Sequence, residues 1–397
     1  MASNGQLPLA GVRVLDCSRV LAGPFATMLL ADLGADVVKL EPPGGDESRG
    51  WGPPWWGDPV DLRSAYFASV NRNKRSVMVD LHTAAGRDLL DRLAARSDLL
   101  VHNARRSQTA RLGLDADHLE ERHPNLVVAS VGGFPGDRLG SARPAYDLLA
   151  QAASGLMAVT GDGDGPPTKV GVALLDLLAG LELAVGALAA MVGQGRVGGP
   201  KRRVEVSLVE AGVAALINVL GNHLASGEEP GRWGNEHPNI VPYQVFAARN
   251  GYLAVAIGND AQYARLLRAL QLAPDPRFAT NAQRVANRVE VVAWFVPAIA
   301  RRERDELLAA LAAADVPAAP VNEVSEALAA MEAARGGHWL QVADGIRLAP
   351  DPIRIDGERL PLLSAPPRLG EHTDEVLLEA GLSAAEIADL RSHGAVA

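Results

Sequence analysis

In the run GVALLDLLAG, residues 171–180, a single acid, Asp176, stands among aliphatic residues and glycine. Taking an unpaired carboxylate out of water costs on the order of several kcal/mol or forces it to hold a proton. Two uses would offset that cost. As a helix cap, Asp176 would accept hydrogen bonds from backbone N–H groups two and three residues on. As a nucleophile, a carboxylate held dry near a helix start would attack an activated acyl group. Acids are common in first helical turns, so on the residues alone capping outweighs catalysis. Gly171 and Gly180 on either side would let a substrate approach the backbone closely.

A second group is basic. NRNKRS supplies Arg72, Lys74 and Arg75, and Arg105, Arg106 and Arg111 follow a predicted strand that ends at Asn103. Such charges are usually solvated surface. Several flank predicted strand ends, however, where α/β sheets place their ligand crevice, and a nucleotide with extra phosphates would use them. Glu41 lies about where nicotinamide enzymes bind ribose, yet CSRVLAGPFA after the first strand has one glycine, not the dinucleotide fingerprint. Cys17 permits no internal disulfide and reads as a small buried hydrophobe rather than a nucleophile. The nine histidines show no zinc-binding spacing, so no metal is expected. Tyr146, Asp147 and His237 are candidate pocket residues that would serve equally as caps or turn residues.

These residues need a scaffold, and the pattern of the chain supplies one. VRVLD, GPFATMLLADLG and ADVVKLE read as strand, helix and strand; SVMVDL, AAGRDLLDRLAARS, DLLVHN and NLVVASVGGF continue the alternation of an α/β fold with a parallel sheet. Helices are predicted at 145–158 and about 174–193. Turn-rich GEEPGRWGNEHPNIVPYQVF marks a boundary, giving a large domain over 1–225, a smaller α+β domain over 226–330, and a return to the large domain over 331–397. The small domain opens with the hairpin-like YQVFAARNGYLAVAIG. A formal charge of −9 argues against a general nucleic-acid binder. Lacking a signal-like N-terminus or an unbroken apolar span, the chain is expected to be cytoplasmic, with no membrane partner.

LAGVRVLDCSRVLAGPFATMLLADLGADVVKLEPPGGDESRGWGPP, YFASVNRNKRSVMVDL, YDLLAQAASGLMAVTG, KVGVALLDLLAGLELAVGALAA, GNEHPNIVPYQVF, RFATNAQRVANR and LGEHTDEVL, in this order and spacing, resemble the family III CoA-transferases. That group includes formyl-CoA transferase and carnitine CoA-transferase and shares its fold with the α-methylacyl-CoA racemases. RGWGPP and GRWGNEHPNIVPYQVF are most similar to the succinyl-CoA:dicarboxylate branch. The resemblance reverses the weighing of Asp176, which becomes the nucleophile of a route through aspartyl anhydrides and an aspartyl-CoA thioester. It implies CoA or acyl-CoA as substrate, with no permanently bound cofactor. It sets the CoA site beside Val20, Leu21 and Ala22, the segment Asn73, Lys74 and Arg75, and Asn103 with Arg111. Trp51 is expected near the acyl end, and GRWGNEHPN, with Gly231 and Gly234, as a mobile cover. A Rossmann-like large domain from both chain ends and an intertwined homodimer are also implied.

The chain departs from the family where ARRS, Ala104 to Ser107, and FPGDRLGSARP stand near the expected nucleotide site. Two rivals remain: a racemase of the same fold, and an acyl-CoA-binding protein without catalysis. Where those racemases use a histidine this chain has Tyr146, and a neutral phenol is a poor base near neutral pH.

Overall fold

The computed structural model describes residues 7–58, 61–135, 143–197 and 203–396. The chain divides into two compact units: Met1–Leu156, Val170–Gly221 and His338–Ala397 form the first, and Met157–Lys169 with Asn222–Gly337 the second.

In the first unit a parallel sheet is built from β1 (Arg13–Cys17), β2 (Asp36–Glu41), β3 (Lys74–Met78), β4 (Leu99–His102), β5 (Val127–Gly132) and β6 (Arg203–Ser207), in the order β3-β2-β1-β4-β5-β6. Near-continuous β-branched and leucine runs suit strands buried on both faces. On one face Val14, Val37, Leu99, Val101, Val127 and Ala129 pack with helices α1 (Ala22–Asp32) and α4 (Leu174–Val197). On the other, Leu15, Leu40, Val77, Leu100 and Val128 pack with Leu89 and Leu90 of the Ala84–Ala94 helix and with Leu377 and Ile387 near the C-terminus. Two further helices matter below, α2 (Ala65–Ser69) and α3 (Asp147–Ala153), with α5 (Leu208–Ala214) packed on α3 and α4.

The structure corrects three sequence readings. Strand β3 begins at Lys74, two residues before SVMVDL, because Lys74 and Ser76 point inward, Lys74 pairing with Asp16 and Ser76 donating to Glu41. The helix expected over 145–158 breaks after Ala153, where Gly155 takes a φ of 86°, and a separate turn of helix follows at Leu156–Val159. The VEV alternation of Arg203–Ser207 forms a sixth strand that the basic residues before it concealed.

The second unit has the expected hairpin, Tyr243–Ala248 paired antiparallel with Gly251–Ala256, extended by Ala318–Pro320. Its core joins Phe246, Leu253 and Val255 of the sheet to Phe295 and Leu307 of two helices. Met157–Lys169, read from sequence as part of the large domain, belongs to this unit.

Candidate active site

The strand order changes direction between β1 and β4, and the crevice of such a sheet opens beyond the carboxyl ends of those strands. There the Asn103 amide holds both backbone polar groups of one residue: its Nδ2 donates to the Arg19 carbonyl at 2.7 Å and its Oδ1 accepts from the Arg19 N–H at 3.0 Å. The next residue, Val20, has a φ of 73°, which a β-branched side chain resists. The Val20 N–H is held by both carboxylate oxygens of Asp46 at 3.2 Å. Lys39, fully buried, pairs with Asp46 at 3.0 Å and donates to the Ser18 carbonyl at 2.8 Å. Asp16 completes the support, accepting from Ser18 and from Thr27 Oγ1 and pairing with Lys74 at 3.0 Å. Burial alone would push the Asp16 carboxyl upward; Lys74, Lys39 and the two hydroxyls hold it well below the ordinary range. The unusual backbone of Val20 thus persists because its surroundings over-determine it.

Asp176 is the third residue of α4, in the first turn. It does not cap the helix. That task falls to Asp147 at the start of α3, whose Oδ1 accepts from the Leu175 N–H at 2.8 Å. The Asp176 carboxylate has no hydrogen bond among the described residues, and burial, then the charge of Asp147, pushes its pKa up to about 7. The Tyr66 phenol of α2 is likewise pushed up to about 12, by burial first and then by Asp176, Asp147 and Asp46. Trp51 meets the Tyr66 ring edge-on, with centroids 4.9 Å apart. Val20, Leu21, Phe25 and Tyr66 share an apolar cluster with Ala173 and Leu177, which brings the loop after β1 against the turn that carries Asp176.

Gly180 serves this packing and not substrate approach: a Cβ there would stand 2.7 Å from the Ala22 carbonyl oxygen. Around Gly171, among the described residues other than its chain neighbours, nothing lies within 4 Å of a Cβ built there.

The structure separates the other expected site residues. Val20, Leu21, Ala22 and Asn103 lie at the crevice, and Arg111 is exposed on the Arg106–Leu112 helix that follows β4. The backbone of Asn73, Lys74 and Arg75 does not join them, although the buried Lys74 ammonium reaches under the loop to Asp16 and the Pro24 carbonyl. The segment opens β3, whose Lys74 pairs in register with Val37, near the start of β2, so it occupies the amino edge of the sheet. The Asn73 side chain bonds Asp32, Leu363 and Ser364. Lys74 is spent on Asp16, and the Arg75 guanidinium pairs with Asp36, Glu375 and Glu379. It is the far end of β3, after Met78, that adjoins the crevice. Tyr146 is exposed in the N-cap position of α3, without a side-chain cap.

His237 belongs to the second unit, where Nδ1 accepts from the Asn239 N–H at 3.1 Å and burial, then Arg288, pushes the pKa down. The segment expected as a mobile cover is tied down within that unit: Arg232 donates to the carbonyls of Asp162, Gly163 and Gly165, and Trp233 lies under Arg288. Of FPGDRLGSARP, residues 136–142 lie outside the described residues.

Sequence reading missed Tyr66, Asp46, Lys39 and Gln151; it offered Asp147 as a cap but not as the cap of α4. The one available signal was the polar pair Asp147 and Gln151, spaced i, i+4 on a helix of otherwise apolar residues.

The sequence model described as CoA-transferase family III matches residues 9–373. A succinate–glutarate CoA-transferase of Agrobacterium fabrum is 38% identical, over 95% of this chain and 96% of that protein. A succinyl-CoA:glutarate CoA-transferase of Mus musculus is 37% identical, over 94% and 86%. Among solved structures, a CAIB/BAIF family protein from Brucella suis superposes with a TM-score of 0.84 at 37% identity, covering 94% of this chain and 99% of that one.

Proposed function

The chain belongs to CoA-transferase family III, and from that premise we propose that it moves CoA from succinyl-CoA to a small dicarboxylic acid through Asp176. An ionised Asp176 oxygen attacks the thioester carbonyl carbon; the C–S bond breaks, and a mixed anhydride and CoA thiolate result. The thiolate then attacks the aspartyl Cγ, releasing succinate and leaving an aspartyl-CoA thioester. The acceptor carboxylate attacks that thioester, freeing the thiolate again, and the thiolate takes the acceptor's acyl carbon and restores Asp176. Each step exchanges one acyl bond for another, so no metal or redox cofactor is called for, and the protein's task is to keep water out.

The observation that carries this reading is a carboxylate at the sheet's crevice that is left unbonded and raised to about 7. The capping alternative is taken by Asp147. The strapped backbone of Ser18 to Ala22, with Asn103 and Arg111, receives the CoA moiety, and Trp51 with Tyr66 flanks the acyl end. The relatives' printed names, which join succinate or succinyl-CoA to glutarate, favour a dicarboxylate acceptor.

The working form is a homodimer, intertwined as the family resemblance implies, in a reducing cytoplasm. Support for a second copy is the apolar outer stripe of α4, Leu181, Val185 and Val192, which stays exposed within this chain while Leu175, Ala179 and Leu183 are buried. Residues 174–194 are long and apolar enough to cross a membrane by composition, and a second copy covering that stripe accounts for the same pattern.

The test incubates the enzyme with succinyl-CoA and glutarate or other dicarboxylates and identifies new thioesters by mass spectrometry. Hydroxylamine trapping should leave a hydroxamate at Asp176. Transfer without any adduct there, or deuterium entering the α-position of a 2-methylacyl-CoA at a comparable rate, would overturn the reading.

A further inference from the structure

Gln151 is fully buried on α3, and nothing in the exchange chemistry requires an amide there. Both ends of its amide are nevertheless turned to the approach to Asp176. Its Nε2 donates to Asp147 Oδ2 at 2.6 Å and lies 3.4 Å from the Val172 carbonyl, and its Oε1 accepts from the Val170 N–H at 2.9 Å. The Val170 N–H fixes which end of the amide is oxygen, so the nitrogen must face the carboxylate. Asp147 in turn uses its other oxygen to hold the Leu175 N–H, one residue before Asp176. One side chain therefore ties together the carboxylate that caps α4 and the strap, 170–172, by which the chain enters α4.

We propose that Gln151 is a positioning residue for the transfer reaction: its buried amide locks Asp147 and the 170–172 strap to each other, and so fixes where Asp176 sits and which charge it faces. This deepens, and rests on, the reading of Asp176 as the nucleophile. Asp147 from α3 is the charge that bears on Asp176; the Tyr66 phenol of α2, pushed up to about 12, stands near the same carboxylate uncharged. Asp46 bears on the Tyr66 phenol. Helix α1, packed along α4, has no acid in its first turn, and α5 carries Glu210 exposed in its own. Holding one anion beside another costs free energy, and Asp147 would swing toward water if its tether were cut. With Gln151 in place it stays, Asp176 remains more basic than an ordinary carboxylate, and a more basic carboxylate is the better nucleophile.

The experiment follows the carboxyl carbons of 13C-labelled aspartate through a pH titration, with the Asp176 signal assigned by difference from Asp176→Asn. Gln151→Leu removes both tethers, and Gln151→Asn keeps an amide one methylene too short to reach both partners. Each variant should lower the Asp176 midpoint, Gln151→Leu by about one pH unit, with the acid limb of kcat moving equally. Turnover should fall about tenfold or more while the KM for succinyl-CoA changes little, since CoA is held elsewhere. In an Asp147→Asn background the same Gln151→Leu change should shift the midpoint far less, because the charge it positions is gone.

Unmoved midpoints in both folded variants, or a shift of undiminished size in the Asp147→Asn background, would overturn the proposal. Failure of the underlying reading looks different: Asp176→Asn would transfer CoA at the normal rate, whatever the midpoints do.

Discussion

The loop after β1 and the turn that carries Asp176 touch through one apolar cluster, yet they are built on opposite terms. Beneath the loop, Asp16, Lys39, Asp46 and Lys74 are all buried and every one of them is paired. At the turn, Asp147 satisfies the helix end while the Asp176 carboxylate is left without a hydrogen bond among the described residues and close to a like charge. The first arrangement spends stability to make a rigid floor. The second withholds stabilisation from the one group that must change its bonding. Placing them side by side keeps the binding surface fixed while the reactive oxygen stays available.

The hardest way to break the contrast is to remove the reactive group. Asp176→Asn should cut turnover by at least about 10⁴-fold, since little replaces a missing nucleophile. The same variant should be the more stable protein above neutrality. With a folded pKa near 7 and an ordinary unfolded value of 3.8, the native state binds the proton more tightly, so Asp176 costs nothing below the lower value. The cost grows as pH rises between the two values and is complete above 7. Allowing for its partial exposure to water, we expect a gain on the order of 1–2 kcal/mol for Asp176→Asn at pH 8, absent at pH 3.5. Urea unfolding at the two pH values measures it.

Asp16→Asn attacks the floor instead. Lys39 and Lys74 would then share a buried space without their central counter-charge, and stability at pH 7 should fall by about 3–5 kcal/mol. The penalty should shrink in acid, because a carboxylate with a depressed pKa contributes its stability above the unfolded pKa and loses it as pH falls below.

A gentler probe is pH itself. Because the attacking form of Asp176 is the anion, kcat should fall about tenfold per unit below an acid limb near 7. A limb near 4, with Asp176 still trapped as the hydroxamate, would mean that the site is wetter in the working enzyme. The smallest effect is expected at Arg111, exposed on the helix after β4. Arg111→Ala should raise the KM for acyl-CoA about tenfold and spare kcat, and calorimetry of CoA binding checks it.

The contrast also explains what could be read from the sequence. Strand β1, helix α1 and strand β2 were legible because VRVLD and ADVVKLE alternate into two apolar faces and Gly23-Pro24 opens the helix. Asp176 stood out because a lone acid in an aliphatic run must be explained. The floor did not stand out. Lys39, Asp46 and Lys74 are charged letters, and charged letters ordinarily mean solvent; strand register sets Lys39 beside Asp16, and only the folded side chain brings Lys74 to the same carboxylate. For the same reason NRNKRS reads as a phosphate site, although its backbone lies at the opposite edge and Lys74 is buried against Asp16. Which helix Asp147 caps, and the role of Gln151, were illegible for another reason. A side chain that caps a helix other than its own, 28 residues further along the chain, leaves no local pattern.

The closing segment of the first unit bears on the order in which the protein can be made. Arg49 donates to the Pro367 carbonyl, Arg368 pairs with Asp61, the His372 N–H bonds the Ser76 carbonyl, and the Asp80 N–H bonds the Ala395 carbonyl. On the ribosome, β1 to β3 emerge long before any of these partners exist. During elongation the second unit is synthesised in between, and the nascent sheet waits with its β3 margin uncovered, the kind of exposed edge on which chaperones act. The last stretch of chain, from about residue 361 onward, is therefore a latch in time as well as in space: the half of the fold that is translated first is the half that finishes last.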